Sequence, residues 1–123
     1  MTARFPGRAA IDSYGAGGFS FAGMSHRGSI MALPSGIYAW NPDSSALTLD
    51  DFALPLAEMD AIELMIIGTG VAMTPLSKLR GVLREAGLST DIMATGHAVA
   101  TYNLLLEEKR RVAAALIAVR HPE

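Results

Sequence analysis

The chain is 123 residues long, 50% hydrophobic and 18% charged, with a formal net charge of -2 and no cysteine. That length and apolar content suit one domain with a continuous core and exclude disorder over most of the chain. The absence of cysteine excludes disulfides, thiolate catalysis and cysteine metal sites, and the scattered Lys and Arg residues leave no electrostatic footprint for nucleic acid.

Residues 1–10 carry Arg4 and Arg8 but no apolar run of the signal-peptide kind, and are expected to form a loose N-terminal arm of the single domain. The next stretch reads as β structure. Ile11-Asp12-Ser13-Tyr14 and Phe19-Ser20-Phe21 alternate apolar and polar positions around the Gly15–Gly18 punctuation. Ser25-His26-Arg27-Gly28 has the composition of a hairpin turn, Ile30–Leu33 of the returning strand, and Gly36–Trp40 of a further strand. Polar residues on alternate positions predict an antiparallel sheet with one exposed face. Asn41–Ser45 is a loop by composition, and a short helix over Leu49–Met59 would be limited by Pro55.

From Ile62 onward the pattern changes. Ile62–Ile67 ends in Gly68-Thr69-Gly70, and Ser89–Ala94 ends in Thr95-Gly96, each an apolar strand running into a glycine-bearing turn and then a helix. This is the order of a parallel α/β unit, which places a crevice at the C-terminal ends of the two strands. The first helix is expected to be capped by Thr74, to start at Pro75, to bury Leu76, Leu79, Leu83 and Ala86, and to end at Gly87. The second should run from Gly96 to about Glu108.

Val112–Val119 is rich in alanine, so local propensity alone would prolong that helix. Its continuous apolar character and the charged stretch Glu107–Arg111 before it predict a buried strand instead. No apolar run approaches the roughly 20 residues that span a bilayer, and a cytoplasmic or organelle-matrix location is expected.

Gly18-Phe19, Gly28-Ser29-Ile30, Trp40, Gly68-Thr69-Gly70, Thr95-Gly96, the Thr101–Leu105 segment and the Arg110–Leu116 segment, in this order and spacing, resemble a small family of largely uncharacterised α/β proteins. The family includes a mitochondrial assembly factor of respiratory complex I and a mammalian protein linked to adipogenesis. The resemblance implies a three-layer α/β fold: a mixed central β sheet flanked by helices, with an N-terminal antiparallel β element. Family members often carry Asp at the position of Ala94, Arg at that of Ala100 and Gly at that of Lys109. The missing acid and guanidinium weaken any charged chemistry carried over from relatives.

The candidate chemistry concentrates at the crevice. Gly68, Thr69 and Gly70 could offer backbone N–H groups to an anion, with Thr95, Gly96 and His97 at the start of the second helix facing them. Those N–H groups are expected to be free for water or a ligand. A tight turn needing glycine's conformational freedom explains the same residues without a ligand. His97 is the candidate base, although a solvent-facing histidine is the simpler account. Tyr102 and Asn103 could line the crevice or bind a loop. His26, His97 and His121 have no metal-ligand spacing, so neither a metal nor a cofactor is expected. Trp40 should bury its ring and bond its N–H, and the 7 methionines suit gap filling.

Two functional readings follow. The resemblance implies a non-enzymatic accessory protein that binds protein partners, such as respiratory-complex subunits or another assembly factor, with self-association left open. The alternative is a small-molecule or anion-binding protein, or an enzyme, using the crevice at Gly68–Gly70 and Thr95–His97.

Overall fold

The computed structural model describes residues 2–120. The strands in chain order are β1 (Phe5–Pro6), β2 (Ser13–Gly15), β3 (Gly18–Phe21), β4 (Met24–Arg27), β5 (Ser29–Leu33), β6 (Gly36–Trp40), β7 (Leu64–Gly68), β8 (Thr90–Met93) and β9 (Val112–Leu116). The helices are α1 (Ala53–Ala57), α2 (Ser77–Glu85) and α3 (Thr95–Glu107). Six strands form one mixed sheet in the order β1-β6-β5-β9-β7-β8, and β2-β3-β4 form a separate antiparallel sheet.

β7 runs parallel to both β8 and β9, while β9 runs antiparallel to β5. The predicted C-terminal strand is thus interior, although it stops at Leu116 rather than Val119. Alternation along β9 feeds two cores. Val112, Ala114 and Leu116 pack with Phe19, Phe21, Ala98 and Tyr102, on the side of α3 and the small sheet. Ala113 and Ala115 pack with Phe52, Leu79 and Leu83, on the side of α1 and α2. Both faces of the strand are buried, which is why its sequence is apolar throughout and why tertiary context overrides alanine's helix propensity.

The N-terminal region departs from expectation in detail. Ser25–Gly28 is not a turn, because Met24–Arg27 is strand β4 paired with β3. The two hairpin connections of the small sheet are Ala16-Gly17 and Ala22-Gly23, each two residues long with positive φ at both positions. That backbone sense matches the right-handed twist of the flanking strands. Alanine at the first position of each turn, where Asn or Gly is the usual signal, hid them from a composition reading. Within the segment expected to be a loose arm, Phe5-Pro6 pairs with Ile37-Gly36, and the Arg8 guanidinium donates to the Val112 carbonyl at 2.8 Å.

The α2 helix starts two residues later than expected, at Ser77, after Leu76 adopts a left-handed conformation with φ 48°. Thr74 does not cap it: its N–H donates to Thr69 Oγ1 at 2.9 Å. The helix expected around Pro55 is reduced to the short α1 between two single 3-10 turns. Trp40 is buried, donates its indole N–H to the Asp51 carbonyl at 3.0 Å, and meets Phe52 edge-on with ring centroids 5.6 Å apart.

α3 ends in a Schellman arrangement. The Lys109 N–H bonds the Leu106 carbonyl and the Arg110 N–H bonds the Leu105 carbonyl, each at 2.9 Å, with Lys109 in the left-handed region at φ 62°. A side chain there is strained, and glycine is the residue that suits such a backbone. Lys109→Gly should therefore raise the unfolding free energy by about 1 kcal/mol, measured by urea denaturation. An unchanged midpoint would show that the cap carries no strain.

Candidate functional site

Gly68 closes β7 against the start of α3. A Cβ at Gly68 would lie 3.0 Å from both the Ala98 Cβ and the Thr95 Cα, so only glycine lets the helix come this near. From there the polar groups of the turn are taken up by the protein itself. The Gly70 N–H donates to Thr95 Oγ1 at 2.9 Å, and the Thr95 O–H donates to the Ile117 carbonyl at 2.7 Å. The Thr95 N–H returns a bond to the Gly70 carbonyl at 2.8 Å, and the Ile117 N–H bonds the Gly68 carbonyl at 2.9 Å.

The Thr95 side chain is fully buried and joins the ends of β7 and β9 to the first turn of α3. The Thr69 N–H bonds the Met93 carbonyl at 2.9 Å, and its hydroxyl donates to the Ala72 carbonyl at 2.8 Å while accepting from Thr74. The expectation of free N–H groups at this turn therefore fails at Thr69 and Gly70. A buried backbone donor must find a partner, and Thr95 was close enough to supply one.

The structure brings Gly68, Thr69, Gly70 and Thr95 together, with Gly96 following in the first turn of α3. His97 also lies in that turn and is exposed. Tyr102 and Asn103 serve a different segment. Asn103 accepts from the Ile11 N–H and donates to the Ile11 carbonyl, both at 2.8 Å, as a neighbouring strand would. The Tyr102 hydroxyl donates to the Ala9 carbonyl at 3.3 Å, and burial pushes its pKa up to about 12. These two residues clamp the chain entering β2 onto α3, the loop-binding alternative for them.

The sequence reading missed a groove of about 700 Å³ over the small sheet, lined by residues that include Ser13, Ser20, Ser25, Arg27 and Arg120. The alternation Ser13-Tyr14 and Phe19-Ser20-Phe21 did signal a polar outer face. The arrival of Arg120 from the far end of the chain had no local signal. His26 sits on the opposite face of β4, and its pKa is lowered by burial and by the nearby Arg4.

A family model described as a protein of unknown function, DUF498/DUF598, matches residues 11–117. An uncharacterised protein of Rhodobacter capsulatus is 35% identical over 114 residues, 92% of this chain and 87% of that protein. The human NADH dehydrogenase [ubiquinone] 1 alpha subcomplex assembly factor 3 is 35% identical over 109 residues, 87% of this chain and 59% of the human protein. The chain thus spans about three fifths of the length of that mammalian relative. The crystal structure of a protein described as an outer membrane protein from Bartonella henselae superposes with a TM-score of 0.90 at 52% identity, over 95% of this chain and 100% of that one.

Proposed function

The chain belongs to the DUF498/DUF598 family of proteins of unknown function, and from that premise we propose that it is an accessory protein that acts by binding other proteins rather than by catalysis. The observation that carries this reading is the similarity, across most of the chain, to proteins named as assembly factors of NADH dehydrogenase. Its partners are subunits of a respiratory complex or another assembly factor.

The geometry is consistent with that role. The hydroxyls of Thr69 and Thr95, which an enzyme reading would need, are engaged in holding the turn and the α3 start together. Val71 and Met73, on the loop after that turn, are 57% and 54% exposed, and Leu104 on α3 is 56% exposed, which offers apolar surface for a partner. We take the chain to act as one domain, since the strands before Asn41 and the strand after Arg111 share a sheet.

We place it in the cytoplasm. No helix among the described residues is long and apolar enough to cross a membrane. Fractionation with the outer membrane, in keeping with the description of the Bartonella relative, would overturn that placement.

The test is deletion of the gene in its native host, with assembled NADH dehydrogenase measured in the membranes. The amount should fall, and both the wild-type chain and His97→Ala should restore it. Unchanged NADH dehydrogenase after deletion would end the assembly reading. Failure of His97→Ala to restore it, at normal protein level, would shift the reading to chemistry or ligand binding at the crevice formed by Gly68–Gly70 and Thr95–His97.

A further inference from the structure

The groove over the small sheet has a floor set by strand register. Ser13 pairs with Ser20 and Ser20 with Ser25, so three hydroxyls stand in one row across β2, β3 and β4. The next row on the same face is Gly15, Gly18 and Arg27. Its two glycines leave the floor bare, and a guanidinium stands at its end. At Gly18 a side chain is impossible without movement, because a Cβ would collide with the His26 carbonyl oxygen.

The second guanidinium comes from beyond β9. The Ala16 N–H bonds the Arg120 carbonyl and the Gly17 N–H bonds the Val119 carbonyl, which ties the chain after β9 to the first hairpin turn. Arg27 and Arg120 consequently line both the main groove and a smaller one of about 430 Å³ beside Ala16 and Gly17. Among the described residues neither guanidinium forms a hydrogen bond or an ion pair, whereas Arg110 is paired with Glu63 at 2.9 Å.

Among the described residues no acidic side chain lines the groove, in a chain whose net charge is -2. Two guanidiniums in one concave site, above a floor of neutral hydroxyls, concentrate positive potential where a ligand also finds hydrogen-bond partners. The planar guanidinium fork suits a paired-oxygen anion better than a simple halide.

We propose that this groove binds an oxyanion, a phosphate or carboxylate group of a small polar molecule. Arg27 and Arg120 oppose its charge, and the Ser25 hydroxyl together with the Ser13 and Ser20 hydroxyls, which bond each other, hydrogen-bonds its remaining polar atoms. This site is separate from the turn at Gly68–Gly70 and does not rest on the assembly role.

The experiment is an amide NMR titration of the full chain with sodium phosphate and, separately, with sodium citrate. Ionic strength is held constant with sodium chloride, which also serves as the control titrant. Saturable shifts should appear with at least one oxyanion, confined to residues 13–27 and the vicinity of Arg120. Saturation by phosphate only, or by citrate only, would identify the anion class. Arg27→Gln and Arg120→Gln should each weaken binding by about tenfold, while their anion-free spectra remain those of the folded protein. Shifts that fail to saturate, that persist unchanged in both variants, or that centre on Gly68–His97 would overturn the proposal.

Discussion

Thr95→Val should lower the unfolding free energy by about 2–4 kcal/mol, although the two side chains have nearly the same shape. The valine removes the acceptor for the Gly70 N–H and the donor to the Ile117 carbonyl, at a position with no solvent access. Stranding a buried donor or acceptor costs about 1–3 kcal/mol, and here one of each is affected. Thr95→Ser keeps the hydroxyl and loses one buried methyl group, so it should cost only about 1 kcal/mol. Urea denaturation of the two variants separates hydrogen bonding from packing. Equal losses in both would mean that the junction between β7, β9 and α3 is held by apolar contact alone.

Ala114→Pro should abolish folding. Ala114 is fully buried at the centre of the six-stranded sheet, opposite Ala32 on one side and Ile66 on the other. Proline removes a ladder N–H and forces a ring between two strands, a loss of more than about 3 kcal/mol before any sheet disruption is counted. Domains of this size are stable by only about 5–15 kcal/mol, and disruption of the central ladder would consume the remainder. The control is Ala114→Gly, which keeps the N–H and should remain folded. Dispersed amide resonances in the proline variant would show that β9 is not needed in its observed register.

The Thr95 result also bears on the alternative function. If the valine variant folded stably and passed the complementation test of the proposed function, the Thr95 hydroxyl would have neither a structural nor a chemical role at the turn. If it failed that test while its stability was unchanged, the hydroxyl would matter for a ligand or for chemistry. The bonds observed at Gly70 and Ile117 favour the structural outcome.

Much of the α/β half was legible because its signals are local. Apolar runs ending in Gly68-Thr69-Gly70 and Thr95-Gly96, with helical spacing between and after them, specify strands, turns and helices without reference to the rest of the chain. Helix starts were less legible. Thr74-Pro75 satisfies every local rule for an N-terminus, yet Thr69 captures the Thr74 N–H and the helix begins only after the left-handed Leu76. The hairpin turns at Ala16-Gly17 and Ala22-Gly23 were obscured for a related reason, since alanine in a positive-φ position is held there by strand pairing rather than by its own preference.

At the candidate site, the residue types were visible and their use was not. Glycine, threonine and asparagine can bind a ligand or satisfy the backbone with the same atoms, and only the position of partners decides which. The Asn103 amide found both backbone groups of Ile11, and the Thr95 hydroxyl found Gly70 and Ile117. None of these pairs is close in sequence, so no spacing rule announces them.

The sequence by itself determined the parallel α/β unit, the continuous apolar run that buries both faces of β9, and the exclusion of cysteine chemistry, because these depend on composition and on local periodicity. Tertiary structure alone decided that the N-terminal strands divide between two sheets, with β5 and β6 joining β9 while β2, β3 and β4 stand apart. It also decided that the polar turn groups bond the protein's own backbone and the Thr95 hydroxyl, and that Arg120 lines the same groove as Arg27, far from it in sequence. Each of those outcomes rests on contacts between distant residues, whose free energy exists only once the sheet has brought them within bonding distance.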